Sequence, residues 1–121
     1  MRSAYCDWVS EELVQFRTRD ELWAWLRQHH ATSAGVWVRV GRSASALQSI
    51  TFGELLEAGL AFGWSESKRR AYDADSYLQR FTPRRTVGTA SERNLRIVAA
   101  LEREGRMTPA GRLALGLEPH G

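Results

Sequence analysis

The chain has 121 residues, a formal net charge of +3, 43% apolar residues and 26% charged ones. Those values fit one compact domain over residues 1–121 and exclude a disordered chain. No apolar run approaches the roughly 20 residues needed to cross a bilayer, and the single cysteine, Cys6, has no second cysteine for a disulfide or a thiolate zinc site.

The N-terminal stretch meets Asp7, Glu11 and Glu12 where a signal peptide would be continuously apolar, so a cytoplasmic protein is expected. Residues 1–17 carry no marked element and are expected to be flexible. Thr18 with Glu21 has the spacing of a capping box, and Leu22, Trp25, Leu26 and His29 give residues 18–30 an apolar helical stripe. The β-branched and aromatic run Val36 to Val40 reads as a strand, followed by a small-residue loop from Gly41 to Ser49. A second capping box, Thr51 with Glu54, opens a helix expected to run to Phe62, with Gly63 able to take the positive φ that closes it.

Residues 66–72 and 77–82 read as a β-hairpin around Asp73-Ala74-Asp75-Ser76, ending where Pro83 cannot donate to a ladder. Strict alternation places Lys68, Arg70 and Tyr72 on one face and Ser67, Arg69 and Ala71 on the other. After a linker over 84–88, Thr89 with Glu92 has capping-box spacing ahead of a helix that Gly105 stops. Thr108-Pro109 starts a last helix expected over 109–117, with 118–121 frayed. The expected architecture is α+β: a short antiparallel sheet, made of a strand near 36–40 and a hairpin near 66–82, packed by about four helices.

Sixteen of the seventeen basic side chains are arginine, Lys68 being the exception, and acidic residues are spread among them. Arginine suits bidentate oxyanion contacts, yet mixed charge of this kind is more often a solvated, ion-paired surface. Within that background, Arg84 and Arg85 follow the stiff Pro83 and lie near Arg80, so the three could hold a carboxylate or phosphate. The alternative is a bracing role against Glu54, Glu66 or helix carbonyls, and alternating neighbours such as Arg84 and Arg85 can also diverge. Glu54 fits the third position of its capping box without any ligand. Trp64, directly after Gly63, fits a core position, though its indole N–H could face a cavity. Glu66, beside several arginines, fits an ion pair.

Catalytic and metal signatures are weak. His29 and His30 are adjacent on a helix and do not converge on one ligand. Ser43, Ser45 and Ser49 lie in a loop without a nucleophile elbow. Neither Gly-x-Gly-x-x-Gly nor a Walker pattern occurs. No catalytic residue, metal ligand or cofactor is assigned.

Three blocks follow one another in the second half: Ala61-Phe62-Gly63-Trp64, then Phe81-Thr82-Pro83-Arg84-Arg85, then Gly105-Arg106-Met107-Thr108-Pro109-Ala110-Gly111. Joined by the charged and aromatic run from Glu66 to Phe81, they resemble the YdeI/OmpD-associated, or bacteriocin-protection, proteins over about residues 20–111. Departures stand at Gly41, Ser65, Ser67 and Ala90, while Asn94 keeps that pattern's asparagine. The resemblance implies a cytoplasmic bacterial α+β protein with a role in resistance to bacteriocins or cationic antimicrobial peptides. A +3 chain does not draw cationic peptides over long range, so such a role would act through a ligand or a partner.

The leading reading is therefore a non-enzymatic module that binds a small anionic ligand or a protein partner through Glu54, Trp64, Glu66, Arg80, Arg84 and Arg85. Two alternatives stand beside it. One is nucleic-acid binding by the basic hairpin and Arg84-Arg85; the other is an enzyme using Glu54 or Glu66 as acid or base. Five tryptophans leave room for a homodimer patch, although core packing is their commoner fate.

Overall fold

The computed structural model describes residues 12–43, 46–85 and 91–117. Within these residues eight elements follow in chain order: β1 (Glu12–Gln15), α1 (Arg19–His29), β2 (Val36–Gly41), α2 (Phe52–Phe62), β3 (Trp64–Ala71), β4 (Ser76–Pro83), α3 (Glu92–Arg103) and α4 (Pro109–Ala114). The α+β class and the four helices agree with the sequence reading, but the sheet is larger than expected. It has four strands in the order β1-β2-β4-β3 and is mixed, because β1 runs parallel to β2 while β2/β4 and β3/β4 are antiparallel. The expectation of flexibility across residues 1–17 is thus corrected at Glu12–Gln15, which forms an edge strand. Residues 1–11 and 118–121, including Cys6, lie outside the described residues.

Local chemistry sets most boundaries. Thr18 caps α1 by accepting from the Glu21 N–H, while the Glu21 carboxylate turns back to the Arg17 N–H, 2.7 Å away, instead of to Thr18. Thr51 and Glu54 form the complete reciprocal box at α2, and Gly63 ends that helix at φ 82°. The start of α3 differs from expectation: Ser91 is its cap, accepting from the Asn94 N–H. Thr89 lies outside the described residues. The last helix is shorter than 109–117, closing at Ala114 before Gly116 takes φ 72°.

One face of the sheet carries the core. Val36, Val38 and Val40 of β2 pack with Tyr77 and Phe81 of β4, with Leu22 and Leu26 of α1, and with Leu55 and Leu60 of α2. Removing such side chains from water contributes roughly 1.5–3 kcal/mol each. Two glycines allow close crossings on this side. A Cβ at Gly59 would lie 2.8 Å from the Trp64 carbonyl oxygen, and one at Gly111 would overlap the Ala61 carbonyl oxygen. The second approach is locked by Thr108, whose hydroxyl donates to the Ala61 carbonyl and accepts from the Gly111 N–H.

The opposite face of the sheet carries Trp37 and Arg39 of β2, Leu78, Arg80 and Thr82 of β4, and Ser65 and Arg70 of β3, as the register dictates. A β-bulge interrupts that register: Glu66 pairs with Phe81 and Arg69 with Gln79, so three steps on β3 match two on β4. Arg80 is consequently faced by two residues, Ser67 and Lys68. Strict alternation, which would separate Ser67 from Lys68, does not hold. Buried Gln79 supports the bulge from beneath, donating from Nε2 to the Lys68 carbonyl at 2.9 Å.

Candidate functional site

The bulge creates a cleft of about 480 Å³ on the outer face of β3 and β4. Its polar lining comes from Ser65, Ser67 and Lys68 of β3, Arg80 and Thr82 of β4, and Arg85 just beyond Pro83. Trp37 and Pro83 complete the lining. Among the described residues, no carboxylate lines the cleft and none of Lys68, Arg80 and Arg85 makes an ion pair.

Arg80 is the organising cation. It lies opposite Trp37 across the β2/β4 ladder, with its guanidinium carbon 5.7 Å from the ring centroid, and Arg70 covers the same ring at 4.9 Å. Two guanidinium planes leave Trp37 only 7% exposed although it sits on the outer face of the sheet. Gly35 keeps room for the Arg80 head, since a Cβ there would stand 3.0 Å from Nη2. Nη1 of Arg80 is buried and has no hydrogen-bond partner among the described residues. A guanidinium nitrogen removed from water without an acceptor is unfavourable, and an oxyanion would supply the missing contact.

The six sequence-predicted site residues do not form one cluster. Arg80 and Arg85 meet at the cleft. Arg84 diverges from Arg85: its backbone N–H donates to the Gly63 carbonyl at 2.9 Å, and its Nε, outside the cleft lining, is buried without a partner among the described residues. Glu54 closes the capping box, with Oε1 accepting from the Thr51 N–H at 3.0 Å. Trp64 is a core residue, 1% exposed, whose indole N–H donates to the His30 carbonyl at 3.3 Å while its ring packs on Trp25 and Phe81. Glu66 pairs with Phe81 on the core face, and its Oε2 is buried without a partner among the described residues. Of the six residues, Arg80 and Arg85 line the cleft, whereas Glu54, Trp64, Glu66 and Arg84 lie outside its lining.

Sequence reasoning missed Trp37, Ser65, Ser67, Lys68 and Thr82 as lining residues. The signal for Trp37 was its place in the only strand expected to face the hairpin, but its stacking beneath two arginines depends on register. Lys68 and Ser67 depend on the bulge, which no residue type announces.

Other chemistry is sparse. Among the described residues, no group of three or more His, Cys, Asp and Glu could hold a metal ion. His30 places Nδ1 2.8 Å from the Leu26 carbonyl oxygen, and His29 packs beside Trp25. No described helix is long and apolar enough to cross a membrane.

At the hairpin tip, Arg39 joins four elements of structure. It donates to Gln15 of β1, to Ser76 of β4 and to Asp73 of the turn, and its guanidinium carbon lies 5.4 Å from the centroid of the Tyr72 ring. The Ser76 hydroxyl, foremost, together with the Asp75 N–H and Arg39, holds the Asp73 carboxyl below its ordinary range.

Against known proteins, one family model, described as a domain of unknown function (DUF8412), matches residues 14–114. No curated protein and no solved structure matches the chain. The matched span runs from β1 through α4 and so includes every strand that builds the cleft. With β2, β3, β4 and the four described helices inside a match that covers most of the chain, the chain belongs to the DUF8412 family.

Proposed function

We propose that the chain is a non-enzymatic binding module that takes a small oxyanionic ligand, phosphorylated or carboxylated, into the cleft between β3 and β4. One observation carries this reading. Among the described residues, three cations and no acid line the cleft, and one of the cations, Arg80, has a buried nitrogen with no acceptor. Thr82, Ser65 and Ser67 supply hydroxyls that can donate to further ligand oxygens. Glu54 is engaged in its cap and Glu66 faces the core, so neither carboxylate is placed to serve as acid or base at this cleft.

A phosphodiester chain is the second reading, favoured by Arg70, which extends the cationic surface beyond the cleft by sharing the Trp37 ring with Arg80. A cytoplasmic role in resistance to bacteriocins or cationic peptides rests on the sequence resemblance, and would act through the bound anion or a partner that delivers it.

A thermal-shift screen tests the reading, with pyrophosphate, sugar phosphates, dicarboxylates and short oligonucleotides as probes at low and high salt. Ligands that bind the native state raise the midpoint by an amount that grows with concentration over Kd. The expected hit is a small oxyanion whose shift vanishes in the Arg80→Ala plus Arg85→Ala variant. A hit retained by that variant, or no hit among small anions, overturns it; a hit confined to oligonucleotides with steep salt dependence favours the second reading.

A further inference from the structure

We infer that a second cavity, on the helical side of the molecule, is a binding site for a zwitterionic peptide of about dipeptide length with an apolar side chain. The cavity holds about 380 Å³ between α1 and the α3–α4 connection. Its apolar walls are Trp23, Phe62 and Met107, with Trp23 and Phe62 meeting edge to face at 5.3 Å. Arg106 closes one side with its guanidinium carbon 4.5 Å from the Trp23 ring centroid, and it is already neutralised by Glu57 at 3.4 Å and Glu104 at 3.0 Å. Arg19 is likewise held by Glu57 at 3.6 Å.

Two lining charges remain. Asp20 and Arg27 both line the cavity, and among the described residues neither makes an ion pair. They are seven positions apart on α1, which puts them on one face with a rise of about 10 Å between their Cα atoms. One free anion and one free cation on the same wall match a ligand that carries both charges, and disfavour a simple anion or cation.

The spacing sets the ligand length. An extended dipeptide spans about 7 Å, and a hydrogen bond of about 3 Å at each end brings its charged termini to the scale of the Asp20 to Arg27 separation. Its ammonium would meet Asp20 and its carboxylate Arg27, with the side chain against Trp23, Phe62 and Met107. Trp23 adds an independent observation: it is 7% exposed, and its indole Nε1 is buried with no acceptor among the described residues. A ligand carbonyl is the group such a donor lacks.

The test is a titration of the full chain with leucyl-phenylalanine, followed by the indole N–H signals in ¹H–¹⁵N spectra. Trp23→Phe identifies the Trp23 signal by its loss. The expected result is a saturable shift of that signal, weakened about tenfold or more when the peptide is N-acetylated or C-terminally amidated, as loss of one charged contact requires. Asp20→Asn should remove the penalty of N-acetylation, and Arg27→Gln the penalty of amidation. No shift of the Trp23 signal, or equal binding of free and doubly blocked peptide, overturns the proposal. Binding of the N-acetylated peptide as tightly as the free one would also overturn it, leaving a plain carboxylate site.

Discussion

Arg80 and Trp37 lie directly opposite one another on β4 and β2, with the Arg80 guanidinium carbon 5.7 Å from the Trp37 ring centroid. The ring positions a cation that makes no ion pair among the described residues. Trp37→Ala should therefore weaken oxyanion binding by about tenfold, the scale of a partly desolvated cation–π contact, whereas Trp37→Phe should retain most of it. Titration calorimetry with pyrophosphate distinguishes the two. Equal loss in both variants would show that the indole contributes something other than a ring face.

Gln79 is 3% exposed and donates to the Lys68 and Arg80 carbonyls from below the bulge. In Gln79→Leu the Lys68 carbonyl loses that donor, so unfolding free energy should fall by roughly 1–3 kcal/mol. Anion binding should fall with it, since Lys68 and Ser67 lose the backbone geometry that turns both toward Arg80. Denaturant melts and the same calorimetric titration read the two effects separately.

Gly111 lies so near Ala61 that a Cβ would overlap the Ala61 carbonyl oxygen. Gly111→Ala must push α4 from α2 and break the Thr108 contacts that bind the crossing. An overpacking cost of roughly 1–3 kcal/mol is expected, or a fall in Tm of roughly 5–10 °C by calorimetry. Gly53→Ala is the control, because its added Cβ meets only ordinary contact with the Thr51 hydroxyl at 3.8 Å.

Asp73 has its folded-state pKa lowered, first by the Ser76 hydroxyl and then by the Asp75 N–H and Arg39. The unfolded state then binds the proton more tightly. The stability this group supplies is present above the unfolded pKa and is lost as pH falls through the lower folded value, in the range below about 4. Asp73→Asn should lower stability at neutral pH and flatten that acid limb, as urea melts between neutral and strongly acidic pH would record. An unchanged acid limb would show that other carboxylates carry it.

The caps and the helical stripes were legible because each is a local pattern. Thr51 with Glu54 announced α2, and Thr108-Pro109 announced α4. β1 was not legible, since Glu12-Leu13-Val14-Gln15 has only two apolar residues and pairs in parallel with a strand beyond the intervening helix. At α3, capping-box spacing pointed to Thr89 with Glu92, whereas the observed cap is Ser91, whose partner at the third position is Asn94. The cleft was legible only in part. Pro83 and its neighbouring arginines flagged the right end of the hairpin, but which guanidinium enters the cleft depends on how the chain leaves β4. The bulge that brings Lys68 beside Ser67 is a property of pairing, not of either residue.

The most direct measurement of the anion site is the arginine Nε–H signal of Arg80 and Arg85 in ¹H–¹⁵N spectra during titration with pyrophosphate, assigned by Arg80→Lys and Arg85→Lys. The account predicts saturable shifts of both signals together with the backbone amides of Ser67, Lys68 and Thr82, while the Arg84 signal moves little. Shifts confined to Arg84 or to residues outside the β3–β4 cleft, or none at a pyrophosphate concentration that raises Tm, would contradict it.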